Sequence, residues 1–313
     1  MIVMRHNKVD LKPNTKLRDA VSQYTRSSKF AQLSGAVQAK YDSTLQRVCS
    51  TKVQNGAELG NVKLSDIRFK HVTYAYDRWT DNNGPSAANY MATCLSIVLN
   101  TAIRHEAIIA NPVSQLQRKS EKPRRVKWAK DDVRSFLTTA YSEWRWRSIG
   151  LILHMAYEWG QRIGDMRLLK WEDIDFESQR VDITQSKRGA EVHLPVPDEL
   201  LAMLEAQRVD FGFQDYVAPR VKPNHSGYSP YTAIEIHTQV NNIKAKAGLD
   251  PKLQARDLRR TAITEMAEAG VDLVGIMQVS GHQNPNSVKP YLVNTFSGAS
   301  AALSKRRGTE DGL

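Results

Sequence analysis

Met91, Cys94, Leu95, Val98, Leu99, Ala102 and Ile103 recur at the i, i+3, i+4, i+7 spacing within SAANYMATCLSIVLNTAIRHEAI. That spacing gathers the apolar set on one face of an α-helix, whereas a strand would turn about half of it to solvent. Shorter stretches of the same period cover about 16–32, 36–50 and 66–79, so the first third reads as an all-helical unit of four or five helices. Ser86, following Gly84-Pro85, is placed to cap the long stripe, and Asn111-Pro112 disfavours its continuation.

The period is interrupted by QRKSEKPRRVK, residues 117–127, which is polar, cationic and broken by a proline. It reads as an interdomain linker between a helical domain, 1–116, and a second domain, 128–313. In the second domain WAKDDVRSFLTTA carries acids in its first turn, as a helix N-terminus favours, and the nearly all-apolar WRSIGLILHMAYEWG reads as a central core helix closed by Gly160. Only RVDIT and EVHLPV alternate with period two; they flank QSKRGA and predict a β-hairpin with a glycine-containing turn. Further helical patterns fall at about 198–208, 231–247, 257–269 and 272–280. The expected fold is mainly α with a small β-sheet or hairpin, the second domain being α+β.

Lys and Arg number 44 against 33 Asp and Glu, a net charge of +11, which attracts polyanions and speeds their encounter. The cations are spread through patterned segments rather than collected in a tail, so nucleic acid is the expected partner. Cys49 and Cys94 lie in apolar helical patterns without metal-ligand spacing and read as buried thiols of a reducing compartment. No apolar run of spanning length and no signal-peptide pattern is present, so the expected location is the cytoplasm, away from membrane.

Four short stretches set a cation, imidazole or phenol at an element end or turn, where a side chain can reach an external ligand: GQRIGD at 160–165, QSKRGA at 185–190, RDLRR at 256–260, and GHQNPNSVKPY at 281–291. In this order and separation, with NPV closing the helical unit, they resemble the tyrosine recombinase (phage integrase) family. YEWGQRIGDMRLLKWEDID resembles its first-arginine box, ARDLRRTAITEMAEAGVDLVGIMQVSGH its second, and Tyr291, nine residues after His282, falls on its nucleophile position. The resemblance implies a two-domain clamp on double-stranded DNA, with a helical core-binding domain ahead of a catalytic one. It implies a set made of Arg162, Lys187, Arg259, His282 and Tyr291, with Asp165 in support. Lys119, Lys122, Arg124, Arg125, Lys127, Arg188 and Arg260 are the candidate DNA contacts.

The chemistry explains those residue types. Attack on a phosphodiester builds charge on the nonbridging oxygens, which two always-protonated, fork-shaped guanidiniums can clamp. A phenol is a weak nucleophile until its proton leaves, and the 5′-hydroxyl expelled needs a proton, for which Lys187 is the candidate acid. Because the covalent link stores the bond energy, neither cofactor nor metal is expected, and the sequence carries no Walker-type glycine loop or Mg²⁺-holding carboxylate cluster. Strand exchange between two duplexes implies a tetramer on paired sites, with accessory or directionality factors as further partners.

Two departures bear on activity. The second box reads Arg256-Asp257-Leu258-Arg259 where the family pattern opens with His, and arginine cannot accept a proton, so Arg256 is expected to add a phosphate contact instead. Pro290 precedes Tyr291, which places the tyrosine at the start of a short helix with Pro290 at its first position. The tail after Tyr291 reads as a frayed terminus, or, by the resemblance, as a segment that docks on a neighbouring protomer. The alternatives are an impaired DNA-binding protein of the same fold and a type IB topoisomerase-like enzyme.

Overall fold

In the computed structural model the long apolar stripe belongs to the last of four helices, α1 (Leu17–Thr25), α2 (Ser28–Ala31), α3 (Gly35–Cys49) and α4 (Phe69–Arg104). Residues 10–121, 124, 126–187, 189–225, 227–291 and 296–308 are described, and the chain divides into two units, 1–124 and 125–313. Leu95, Val98, Leu99 and Ala102 are fully buried with Leu17, Leu45 and Val72 around them, and each such aliphatic side chain contributes about 1.5–3 kcal/mol by leaving water. Both cysteines are free and buried.

Helix α4 breaks at the predicted boundary, Gly84-Pro85. Gly84 is non-helical there (φ 79°), so two helical stretches meet at a kink that the proline, lacking an N–H, does not bridge. Ser86 does not serve as the cap; its own N–H donates to the Glu121 carboxylate at 3.1 Å. The start of the predicted linker is tied to this unit as well. The Lys119 N–H donates to the Tyr76 hydroxyl (2.7 Å), and Asn89 Nδ2 to the Lys119 carbonyl (2.8 Å).

The second unit opens at Trp128, whose ring is fully buried; its backbone N–H donates to Thr261 Oγ1 and its indole N–H to the Gln254 carbonyl, both at 3.0 Å. Next come α5 (Lys130–Tyr141), α6 (Arg147–Glu158) and α7 (Ile163–Met166). Asp132 accepts from the Ala129 N–H at 3.0 Å, so the acids of the first turn do cap α5. The apolar helix α6 is buried nearly all round, and Gly160 beyond it takes φ 59°.

Strands β1 (Ile174–Asp175), β2 (Arg180–Thr184) and β3 (Glu191–Pro195) form one antiparallel sheet in that order. The predicted hairpin forms: Val181 faces Leu194 and Ile183 faces Val192, all four buried. Strand β1 was not expected, being two residues long and too short for an alternation to register. Helices α8 (Asp198–Phe211), α9 (Ala233–Lys246), α10 (Asp257–Glu268), α11 (Leu273–Ser280) and α12 (Phe296–Gly308) complete the unit. Fold class is thus mainly α with a small sheet. No helix among the described residues is long and apolar enough to cross a membrane.

Tyr291 closes a 3₁₀ turn, Lys289–Tyr291, rather than opening a helix: Pro290 sits mid-turn and the Tyr291 N–H donates to the Val288 carbonyl at 2.8 Å. Helix α12 lies against α10 of its own chain.

Candidate active site

Four element ends meet around one buried carboxamide. Arg162 is the N-cap residue of α7, Arg259 lies in the first turn of α10, and Gly281-His282 follows the C-terminus of α11. Gln185 sits where β2 turns toward β3, and its Oε1 accepts from Arg162 Nη1 at 2.7 Å. Gln185 Nε2 donates to Gln161 Oε1 (2.6 Å) and to the Ser280 carbonyl (2.8 Å). That carbonyl also accepts from Arg259 Nη2 at 2.8 Å, while Arg259 Nη1 donates to the Gly160 carbonyl at 3.0 Å.

The sequence supports this packing locally. Gly281 ends α11 in the left-handed conformation (φ 68°) that a residue with a Cβ resists, and a Cβ built there would lie 2.7 Å from the Gln185 Cδ. Gly281→Ala is therefore expected to cost about 2 kcal/mol or more, from left-handed strain plus overlap, read as a lowered urea midpoint. An unchanged midpoint would show that the amide is not held where the structure has it.

Asp165 is buried, with one carboxylate oxygen accepting from the Ser186 hydroxyl (2.5 Å) and N–H (3.2 Å). Its other oxygen lies 3.6 Å from Arg162 Nη1. It thus sits beside the guanidinium and fastens the base of the hairpin turn that carries Lys187. Lys187 itself is exposed on that turn, and among the described residues it makes no ion pair.

Charge in the site is unbalanced. Burial pushes the Arg259 guanidinium below its ordinary range and the neighbouring Arg162 charge pushes it further; the Tyr291 phenol, as a hydrogen-bonding partner, and Asp165 pull it back. Two guanidiniums that raise each other's energy, with one shared carboxylate, form a site that an anion stabilises.

His282 is oriented by Ser280. The Ser280 hydroxyl donates its single proton to the Ile276 carbonyl at 2.6 Å, so toward His282 Nδ1, 2.7 Å away, it can only accept. Nδ1 therefore carries the proton and Nε2 is the unprotonated nitrogen, while Arg259 Nη2, 3.2 Å from Nε2 and 3.4 Å from Nδ1, lies against the ring. The His282 and Tyr291 rings lie 5.5 Å apart. Tyr291 packs against the small cluster of Ile263, Ile276 and Val288, its carbonyl accepts from Thr264 Oγ1 at 2.9 Å, and the Arg260 guanidinium lies 5.0 Å over its ring.

The structure thus brings Arg162, Asp165, Arg259, His282 and Tyr291 together. Arg256 is exposed at the start of α10, one turn from Arg259. Of the candidate DNA contacts, Arg260 donates to the Pro290 carbonyl (2.6 Å) and braces the tyrosine turn. Lys127 pairs with Glu268 (2.9 Å) and Lys119 with Asp77 (3.5 Å), while Arg124 is half-buried. Lys122, Arg125 and Arg188 lie outside the described residues. Sequence reasoning missed Gln161, Gln185 and Ser280. The signal for Gln185 was its place in the alternation after Val181 and Ile183, which turns a polar side chain inward.

Residues 127–297 match the sequence profile of the phage integrase family. The chain belongs to that family, whose members are the tyrosine recombinases. Among its relatives, the tyrosine recombinase XerA of Pyrococcus furiosus is 30% identical over 144 residues, covering 45% of this chain and 48% of XerA. The integrase of Escherichia phage HK022 is 24% identical over 192 residues, 59% of this chain and 52% of the integrase. The chain spans about half the length of these curated relatives. A likeness of fold alone extends over nearly the whole chain. The Tn1549 transposon integrase in complex with a circular intermediate DNA superimposes with TM-score 0.76 at 15% identity, over 93% of this chain and 99% of that one. A lambda integrase dimer bound to a core site gives 0.71 at 18%, over 88% and 77%.

Proposed function

We propose that the protein is a site-specific DNA recombinase that cuts and rejoins duplex DNA through a 3′-phosphotyrosine at Tyr291, in integration or excision of a phage or mobile element. The observation that carries this reading is the joining of the Arg162 and Arg259 guanidiniums through the Gln185 amide and the Ser280 carbonyl, with the Tyr291 ring 5.5 Å from the His282 ring that lies against Arg259. A scissile phosphate supplies the anion that two adjacent guanidiniums favour: they hold its nonbridging oxygens and stabilise them more as charge builds. Tyr291 Oη attacks phosphorus as its O–H bond breaks, the phosphorus–O5′ bond breaks, and Lys187 supplies the proton to the departing 5′-oxygen. Rejoining reverses these steps with a new 5′-hydroxyl.

Arg256 stands where the family pattern has His and cannot accept a proton, so the tyrosine's proton falls to His282 Nε2, the ring nitrogen that the Ser280 hydroxyl leaves unprotonated. Ser280→Ala removes that acceptor. It is expected to slow covalent-adduct formation by about 5-fold, the worth of one neutral hydrogen bond, and to convert His282 to a mixture of tautomers in ¹⁵N spectra. A His282 found with its proton on Nε2 in the unsubstituted protein would overturn the assignment.

The lambda integrase tetramer solved on a Holliday junction supports a tetramer on paired sites here, and the two free, buried cysteines support a reducing, cytoplasmic place of action. The decisive experiment selects bound sequences from random duplexes, rebuilds the selected site as a nicked suicide substrate, and maps any protein–DNA adduct by mass spectrometry. An adduct on the peptide bearing Tyr291 supports the recombinase. Site binding without an adduct supports an impaired DNA-binding protein, and plasmid relaxation independent of the site supports a topoisomerase.

A further inference from the structure

Gln185 is fully buried, takes no part in the chemistry above, and yet is hydrogen-bonded to the machinery on three sides. Its orientation is forced. Arg162 has only protons to give, so the carbonyl oxygen must face it. Gln161 donates through Nε2 to the Trp159 and Val279 carbonyls, so its Oε1 can only accept, and the Gln185 NH₂ must serve it together with the Ser280 carbonyl. A flipped amide would set N–H against guanidinium and oxygen against two oxygens.

The Ser280 carbonyl is shared with Arg259, so an unbroken chain runs from Arg162 Nη1 through the Gln185 amide and the Ser280 oxygen to Arg259 Nη2. For Arg162 this link matters more than the ion pair. Asp165 stands at 3.6 Å, beyond hydrogen-bonding range, and its nearer-bonded oxygen is occupied by Ser186, whereas Gln185 stands at 2.7 Å. The Arg162 side chain is 29% exposed, and without that bond a long, rotamer-rich group would have to be immobilised anew at each turnover.

We propose that Gln185 is a positioning residue for phosphoryl transfer: its carboxamide fixes the Arg162 guanidinium relative to Arg259, so that the two arrive at one phosphate already aligned. The inference rests on the phosphoryl-transfer reading. Gly281 belongs to the same device, because a side chain there would occupy the amide's place.

The test uses Gln185→Met, of similar length but without the polar end. Single-turnover adduct formation at saturating DNA is expected to slow about 10–100-fold with DNA affinity within about 2-fold, since alignment acts on the chemical step. On a substrate carrying a neutral methylphosphonate at the scissile position, the guanidinium has less charge to hold and the loss should shrink to about 3-fold or less. A plug that merely fills the core would lower the unfolding temperature and slow both substrates equally. Equal losses, or a wild-type rate on the phosphodiester, overturn the proposal. Should Gln185→Met fail to fold, Gln185→Leu is compared on the same two substrates, and equal losses there overturn the proposal instead. If the unsubstituted protein forms no adduct, the phosphoryl-transfer reading fails separately. Gln185 is then judged by ¹⁵Nε relaxation of Arg162, which must show looser motion in Gln185→Met.

Discussion

Tyr291→Phe is expected to abolish the covalent adduct entirely while leaving DNA binding within about 2-fold, because phosphate contacts shared among many cations set the affinity. The substitution removes one oxygen and little else. The ring keeps its place against Ile263, Ile276 and Val288 beneath the Arg260 guanidinium, and the backbone bond from Thr264 Oγ1 does not involve the side chain. Stability should therefore change by no more than about 0.5 kcal/mol, as for a substitution that creates no cavity. The pairing of intact melting, intact binding and absent adduct isolates the phenolic oxygen as the reacting atom. An adduct that persists in Tyr291→Phe would move the nucleophile to another of the 11 tyrosines, and the roles proposed for His282 and Lys187 around Tyr291 would fall with it.

Most of the side chains that this candidate site gathers are legible in the sequence, for a physical reason. Arg162, Arg259, His282 and Tyr291 sit at helix ends and turns, where the local pattern leaves a reactive side chain unexplained by packing, and their order along the chain is itself a signature. What was not readable are the bonds that align them. Gln185 meets Gln161 across 24 residues and the Ser280 carbonyl across 95, and neither periodicity nor local motif encodes such a pairing. The Ser280 hydroxyl escaped notice because its meaning lies in a proton already given to Ile276. In the fold, helical stripes and the single alternating hairpin predicted the architecture. The break within α4 was legible at Gly84-Pro85, but its cap was not, because the Glu121 carboxylate that takes the Ser86 N–H lies 35 residues downstream. The tyrosine's place at the close of a 3₁₀ turn follows from anchors on α10, Arg260 and Thr264, which lie about 30 residues upstream and exert no local sequence signal.

Arg259→Ala is expected to slow cleavage by at least about 10³-fold, roughly 4 kcal/mol of activation free energy, as removal of a preorganised cation from a charge-developing centre does. The stability cost should be smaller, because two effects oppose each other. The Gly160 and Ser280 carbonyls each lose a donor, at about 1–3 kcal/mol for a buried acceptor left unsatisfied. Yet a buried cation repelled by Arg162 also disappears, which relieves the strain that depresses the Arg259 pKa. Ser280 retains its donor in Gln185 and so is not orphaned. A net loss of no more than about 2 kcal/mol follows, measured by urea unfolding beside the cleavage assay. Arg259→Lys separates charge from shape: an ammonium restores the cation but has no planar fork to hold two carbonyls and a phosphate oxygen together, so it should recover only about 10-fold of the lost rate. DNA affinity should fall little in either variant, with the salt dependence reduced by about one phosphate contact. Binding and cleavage that collapse together would make Arg259 a general DNA contact, and Arg259→Lys at full activity would mean that charge alone is required and the alignment through Ser280 is incidental.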